Sequence, residues 1–226
     1  MSQITAAMVK ALRDRTGAGM MDCKNALLEA GGDEEKAVEL IQKKGLAKVA
    51  KKAGAIAAEG LVHAYVHPGN RIGVLIEVNC QTDFVARNEE FREFVESLAM
   101  QVASMQPLYV RREDIPPDAQ QSQRELFKGQ LEEEEAQSGK PKPAAAREKI
   151  VEGKLGKWMS DSCLVEQPYI MDESGKKTVQ QVLDELTAKI GEKINIRRFV
   201  RYELGEGIAR EKKDLAAEVA ETLKDS

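Results

Sequence analysis

The chain has 226 residues with 34 Lys plus Arg against 38 Asp plus Glu, a formal net charge of −4, so its overall field gives no help to nucleic-acid binding and any such surface has to be a local patch. With 42% hydrophobic, 4% aromatic and 32% charged residues, the balance favours helices with large solvated faces around a modest core. Three distant cysteines without a CxxC (Cys23, Cys80, Cys163) speak against a zinc ribbon or a disulfide framework. The start Met1-Ser2-Gln3-Ile4-Thr5 resembles no signal or transit segment, and no stretch approaches the ~20 apolar residues of a membrane span, so the expectation is a soluble cytoplasmic protein.

Residues 1–45 read as three short helices separated by glycine. Thr5 caps one that carries Val9 and Leu12; Thr16-Gly17-Ala18-Gly19 breaks it; Cys23 and Leu27 share the face of the second; Gly31-Gly32 ends that, and Asp33 caps a third with Ala37, Leu40 and Ile41 before Gly45. So small a unit buries only a modest core, which suits a recognition module better than an enzyme. Residues 46–58, with Leu46, Val49, Ala53 and Ile56 at helical spacing, read as a connecting helix.

Over residues 59–112 the period changes to two. Leu61 to His67 and Ile72 to Val78 flank Pro68-Gly69-Asn70, a hairpin pattern, and Asn88 then caps a helix with Glu89 and Glu90 in its first turn and Phe91, Val95, Leu98, Val102 and Met105 on one face. Residues 113–163 read as an antiparallel, coiled-coil-like helical hairpin turning at Ser138 to Pro143. Its apolar stripe, Val151, Leu155 and Trp158, is too narrow for burial on several sides, so it should project, with Glu132 to Glu135 as a solvated face. Residues 164–208 supply the rest of the core: Thr178 and Gln181 form a capping box, and Ile194 to Tyr202 is a third strand. Residues 209–226 form a last helix with Leu215, Val219 and Leu223 in a stripe. The fold class is α+β with an antiparallel sheet.

Few groups offer chemistry. His63 and His67 stand on one strand face roughly 13 Å apart at ~3.3 Å per residue, too far to share a zinc ion, and no Ser/His/Asp set declares itself. Gly205-Glu206-Gly207 lacks the rest of a phosphate loop and reads as a turn. Arg197, Arg198 and Arg201 could grip phosphate, but alternation divides them between two faces, and acids near in sequence, Glu192 and Glu203, could pair with them.

Two apolar loops remain. Thr16 to Met21 sets two flexible thioethers beside permissive glycines, which suits either an adaptable docking surface or the module's own core. At the strand-to-helix junction, "NCQTDFVARN" puts a carboxylate beside a ring. Left exposed, that ring forfeits about 1.5–3 kcal/mol of burial, so either Asp83 caps the helix with Phe84 packed beneath, or a partner covers Phe84.

Those loops carry a resemblance. Val9-Lys10-Ala11-Leu12-Arg13-Asp14-Arg15-Thr16-Gly17-Ala18-Gly19-Met20-Met21-Asp22-Cys23-Lys24, "EVNCQTDFVARN", Gln137 to Pro141, Ile150 to Lys154 and Arg201 to Ile208 resemble, in order and over nearly the whole chain, the elongation factor Ts family, guanine-nucleotide exchange factors of elongation factor Tu. The resemblance implies an amino-terminal module similar to a ubiquitin-associated fold, docking through Leu12, Arg13, Met20, Met21 and Lys24. It also implies insertion of Thr82, Asp83, Phe84 and Val85 into the partner's GTPase domain, disturbing its Mg²⁺ and releasing GDP. No catalytic residue, metal or cofactor of the chain's own is implied. The chain is similar to the short forms, with one hairpin and one later strand where longer members carry two related halves; a half-sized sheet exposes an edge, which makes a homodimer an expectation. Competing readings are a ubiquitin-like-binding adaptor and an RNA-binding accessory using the arginine strand; an enzyme has least support.

Overall fold

Thr5 opens the first helix by accepting a hydrogen bond from the Met8 amide, which helix geometry would leave without a partner. Helix α1 (Ala6–Thr16) then closes on Gly17, whose left-handed backbone (φ 66°) lets its amide reach the Arg13 carbonyl. α2 (Met20–Glu29) follows, and Asp33 caps α3 (Glu34–Lys52) through the Lys36 amide. Val9, Leu12, Cys23, Ala26, Leu27 and Ala37 form the core of this three-helix unit. The computed structural model describes residues 4–209. The helix expected over 209–226, with Leu215, Val219 and Leu223, lies outside them except for Ala209.

The stop expected at Gly45 does not occur. α3 passes through it to Lys52, so the module's third helix and the connecting helix expected over 46–58 are largely one element, followed by a turn at Ala53 and Gly54. A glycine within a helix costs about 1 kcal/mol relative to alanine. A Cβ at Gly45 would stand 3.4 Å from the Ala188 methyl, an ordinary contact distance, so α3 passes close to α8 at this point.

Strands β1 (Glu59–Val66) and β2 (Ile72–Cys80) pair antiparallel around a turn in which Gly69 and Asn70 take positive φ. β3 (Asn195–Glu203) pairs antiparallel on the other side of β2, giving the order β1-β2-β3. Gly60 is obligatory at its place: a Cβ there would meet the Val78 carbonyl oxygen at 2.2 Å. The single turn α4 (Asp83–Ala86) leads into α5 (Glu89–Met105), capped by Asn88. Its Phe91, Val95, Leu98 and Val102 bury against Val74, Ile76 and Val78 on the inner sheet face.

From Pro117 the chain leaves that core. α6 (Pro117–Ser138) and α7 (Ala144–Ser162) pack chiefly on each other, enclosing Leu131, Val151 and Leu155. One member of the glutamate run departs from the solvated face expected of it. Glu135 is buried near the tip, accepting from the Lys142 amide and pairing with Arg147, so it staples the turn. The chain returns through a 3-10 turn at Leu164–Glu166 to α8 (Val179–Ile190), whose capping box between Thr178 and Gln181 has both bonds in place. α8 lies along α3 and contributes Val179 and Leu183 to the core.

Among the described residues, one surface of the sheet is left bare. The register sets Ala64, Leu75 and Val200 in one row across the strands and Val66, Gly73 and Tyr202 in the next. Val62, Val66, Leu75, Val200 and Tyr202 are exposed there.

Candidate functional site

The loop after β2 is held from far along the chain. The Thr82 amide and hydroxyl both donate to the Glu192 carboxylate, at 3.1 and 3.0 Å. The next residue, Lys193, donates its amide to Gln81 Oε1 at 2.9 Å and its ammonium to the Ala53 and Ala55 carbonyls at 2.6 and 3.0 Å. Gly191 ends α8 in a left-handed conformation and turns these two side chains toward both segments. One short stretch therefore fixes the loop and the end of α3 together.

Within this frame the four residues Thr82 to Val85 have separate roles. Thr82 Oγ1 also accepts from the Val85 amide, making threonine rather than aspartate the helix cap. Asp83 pairs instead with Arg87 one turn on, at 2.9 Å. Val85 is buried in the main core. Phe84 is 79% exposed, so the ring does not pack beneath the helix. It borders a shallow recess of about 570 Å³ formed by Asn88, Glu89 and Glu90 on one side and Lys189 and Ile190 of α8 on the other. Thr82, Val85 and Glu192 thus hold a rigid stem, and its tip presents an uncovered phenyl ring.

The amino-terminal unit presents a second apolar surface. Met20 is 49% and Met21 64% exposed, with Arg13 and Lys24 also at the surface. Leu12, expected among the docking residues, lies differently. At 1% exposure it packs inside the unit with Cys23 and Leu27. The turn before the methionines is tied locally, by Thr16 Oγ1 donating to the Leu12 carbonyl at 2.7 Å and by Cys23 Sγ donating to the Ala18 carbonyl at 3.7 Å. Lys48 on α3 pairs with Asp22 at 3.0 Å, and α3 in turn lies along α8, whose Lys189 and Ile190 line the Phe84 recess.

Other candidates resolve into structure. His67 Nδ1 lies 3.0 Å from the Tyr65 hydroxyl. Among the described residues no group of three or more His, Cys, Asp or Glu is placed to hold a metal ion, and no helix is long and apolar enough to cross a membrane. Arg197 and Arg198 both grip Glu77 at 2.7 Å, which the irregular register between Glu77 and Val78 allows for consecutive residues. Their two guanidinium groups hold the Glu77 carboxyl at about 2. Glu192, expected beside these arginines, is engaged with Thr82, whereas Glu203 does pair with Arg201. Burial first, then the nearby Glu166 charge, pushes the Cys163 thiol up to about 11, which makes it a poor nucleophile.

The roles of Glu192 and Lys193 in holding the loop escaped the sequence reading because their partners there lie more than a hundred residues away. The one local signal was the Gly191 helix stop, which freed the next side chains to turn inward.

Comparison with known proteins places the chain among relatives. The family model described as Elongation factor TS matches residues 3–206. Proteins named Elongation factor Ts are similar throughout: the one from Desulforamulus reducens is 54% identical over 99% of this chain and 100% of its own length. That from Carboxydothermus hydrogenoformans is 56% identical over 98% of each chain, and that from Moorella thermoacetica 58% identical over 92% of this chain and 98% of its own.

Proposed function

The chain belongs to the elongation factor Ts family, and from that premise we propose that it is a cytoplasmic translation elongation factor that binds elongation factor Tu carrying GDP and accelerates GDP release. The observation that carries this reading is the uncovered Phe84 ring on a stem anchored by Val85, Thr82 and Glu192. A ring already positioned in the free protein loses little conformational entropy when a partner covers it.

The action is displacement without covalent chemistry. Phe84 enters between elements of the partner's GTPase domain and shifts them, loosening the Mg²⁺ that bridges protein and phosphate. Because the factor favours the state that holds Mg²⁺ and GDP poorly, GDP equally weakens the factor, and incoming GTP later expels it. Asp83, paired with Arg87, organises the loop. Met20, Met21, Arg13 and Lys24 supply a second contact through the amino-terminal module. The factor needs no cofactor of its own and acts on the Mg²⁺ and GDP of its partner.

Self-association belongs to the same reading. Val62, Val66, Leu75, Val200 and Tyr202 form an apolar face on the sheet. A second copy laid on it, sheet on sheet, would cover that face by two-fold symmetry. Sedimentation equilibrium checks this: twice the chain mass, reduced to one by Leu75→Lys, is expected.

The decisive experiment is stopped-flow release of a fluorescent GDP analogue from elongation factor Tu, with and without this protein. Strong acceleration by the intact chain, lost in Phe84→Ala, is expected. No acceleration by the intact chain would overturn the exchange reading.

A further inference from the structure

Across Glu90, which lines both, the recess beside Phe84 adjoins a second depression of about 480 Å³ between α5 and α8. Its floor is apolar, built from Phe94, Met100, Tyr169, Met171, Val182 and Leu186. That floor is held in place by a buried amide. Gln101 Nε2 donates to the Pro168 carbonyl at 2.9 Å and its Oε1 accepts from the Ile170 amide at 2.8 Å, bracketing Tyr169, whose ring packs 6.2 Å from that of Phe94. Met171 is exposed and Met100 partly so, two thioethers able to adapt to what lies on them.

One rim is negative. Glu90, Glu93 and Glu96 recur every three residues on α5 and so stand along one side of the groove. Glu90 pairs with Lys189 at 2.6 Å; Glu93 and Glu96 have no salt-bridge partner among the described residues. An apolar trough with two uncompensated carboxylates on its edge is complementary to a segment that carries apolar anchors and basic side chains.

We propose that this groove receives a basic, apolar-anchored segment of the same GTPase that Phe84 enters, extending that contact from the α4 loop to Met171. The inference rests on the exchange reading above. The shared wall at Glu90 supports it, since a partner seated against Phe84 and Ile190 lies next to the groove. Within this arrangement Phe84 acts on the nucleotide, while the carboxylates speed and orient the encounter.

The test is the Glu93→Lys and Glu96→Lys double variant, at two exposed positions, measured by stopped-flow association with elongation factor Tu carrying GDP over a series of salt concentrations. Association slowed on the order of tenfold at low salt is expected, with the salt dependence flattened or reversed and the release rate at saturating factor unchanged. Met171→Ala should leave association alone and speed dissociation several-fold. Wild-type association and salt dependence in the charge variant, with the intact factor active in exchange, would overturn the groove assignment alone. A change in the factor's own mass in place of its affinity for the GTPase would make the groove a self-contact and also overturn it. An intact factor that fails to accelerate release would remove the exchange reading and this inference with it.

Discussion

Phe84 and the pair Met20-Met21 are both apolar groups left at the surface, but they are supported in opposite ways. The phenylalanine sits on a single turn whose cap residue is bonded to Glu192, 110 residues away, and whose next residue is buried in the main core. The methionines open a helix whose preceding turn is held by bonds within its own few residues, Thr16 to Leu12 and Cys23 to Ala18. One is a stiff ring on a stem fixed by the tertiary fold; the other is a pair of flexible side chains on a locally folded unit. A rigid wedge can transmit force into a partner and move its parts, whereas an adaptable thioether surface can hold a partner without distorting it.

That contrast predicts a separation of rate from affinity. The largest effect belongs to Phe84→Ala. Losing about 1.5–3 kcal/mol of ring burial in the exchange-active complex lowers the GDP release rate at saturating factor by about 10- to 100-fold. Because the ring contributes little to the free protein, the melting temperature should stay within a degree or so. An equally large drop in stability would show the ring to be structural and end the contrast.

Glu192→Ala comes next and should fail in both respects. It strips the Thr82 amide and hydroxyl of their acceptor, and lost hydrogen bonds of this charged kind cost about 1–3 kcal/mol. Urea unfolding should show that loss together with a roughly tenfold slower release, and Glu192→Gln should recover part of both. Exchange at the wild-type rate in the alanine variant would mean that the stem does not need its distant anchor.

A smaller effect, on affinity alone, is expected of Met20→Ala combined with Met21→Ala. Binding to elongation factor Tu should weaken by about three- to tenfold, in keeping with ~1 kcal/mol of lost contact, while the release rate at saturation is unchanged. Titration calorimetry checks the first and stopped-flow the second; an unchanged affinity would leave the methionines without a role.

The smallest effect at neutral pH lies away from both surfaces. Arg197 and Arg198 hold the Glu77 carboxyl at about 2, below its ordinary 4.5. Stability from this cluster is therefore fully present above the ordinary value and is lost as the pH falls through the folded-state one. Melting temperature followed from pH 5 to pH 2 should decline less steeply in Glu77→Gln than in the wild type. Exchange at neutral pH should be the same in both, and a neutral-pH exchange defect would place the sheet cluster in the partner contact.

The sequence was most legible where the determining interactions are short in range. Thr5, Asp33, Asn88 and Thr178 start helices because a side-chain oxygen reaches an amide three residues on, and each does so here. The hairpin, the third strand and the protruding helical pair could be read for the same reason, since period and turn residues are local. Local rules also misled. Gly45 has the look of a helix end, yet α3 continues through it to Lys52 and lies along α8. The resemblance, too, put Leu12 among the expected docking residues, yet its place on α1 turns it inward, as its sharing a helix face with Val9 suggested.

By itself the sequence determined most of the described elements, the α+β class and the presence of "TDFV" at a strand-to-helix junction, all of which follow from periodicity, capping and turn chemistry over spans of a few residues. Only the tertiary structure decided which of those four side chains is free. That answer depends on Val85 meeting the core, on Asp83 turning to Arg87, and on Glu192 arriving from the far side of the chain to grip Thr82. Burial and long-range hydrogen bonding are properties of the assembled fold, and with its neighbours so engaged Phe84 is the most exposed of the four.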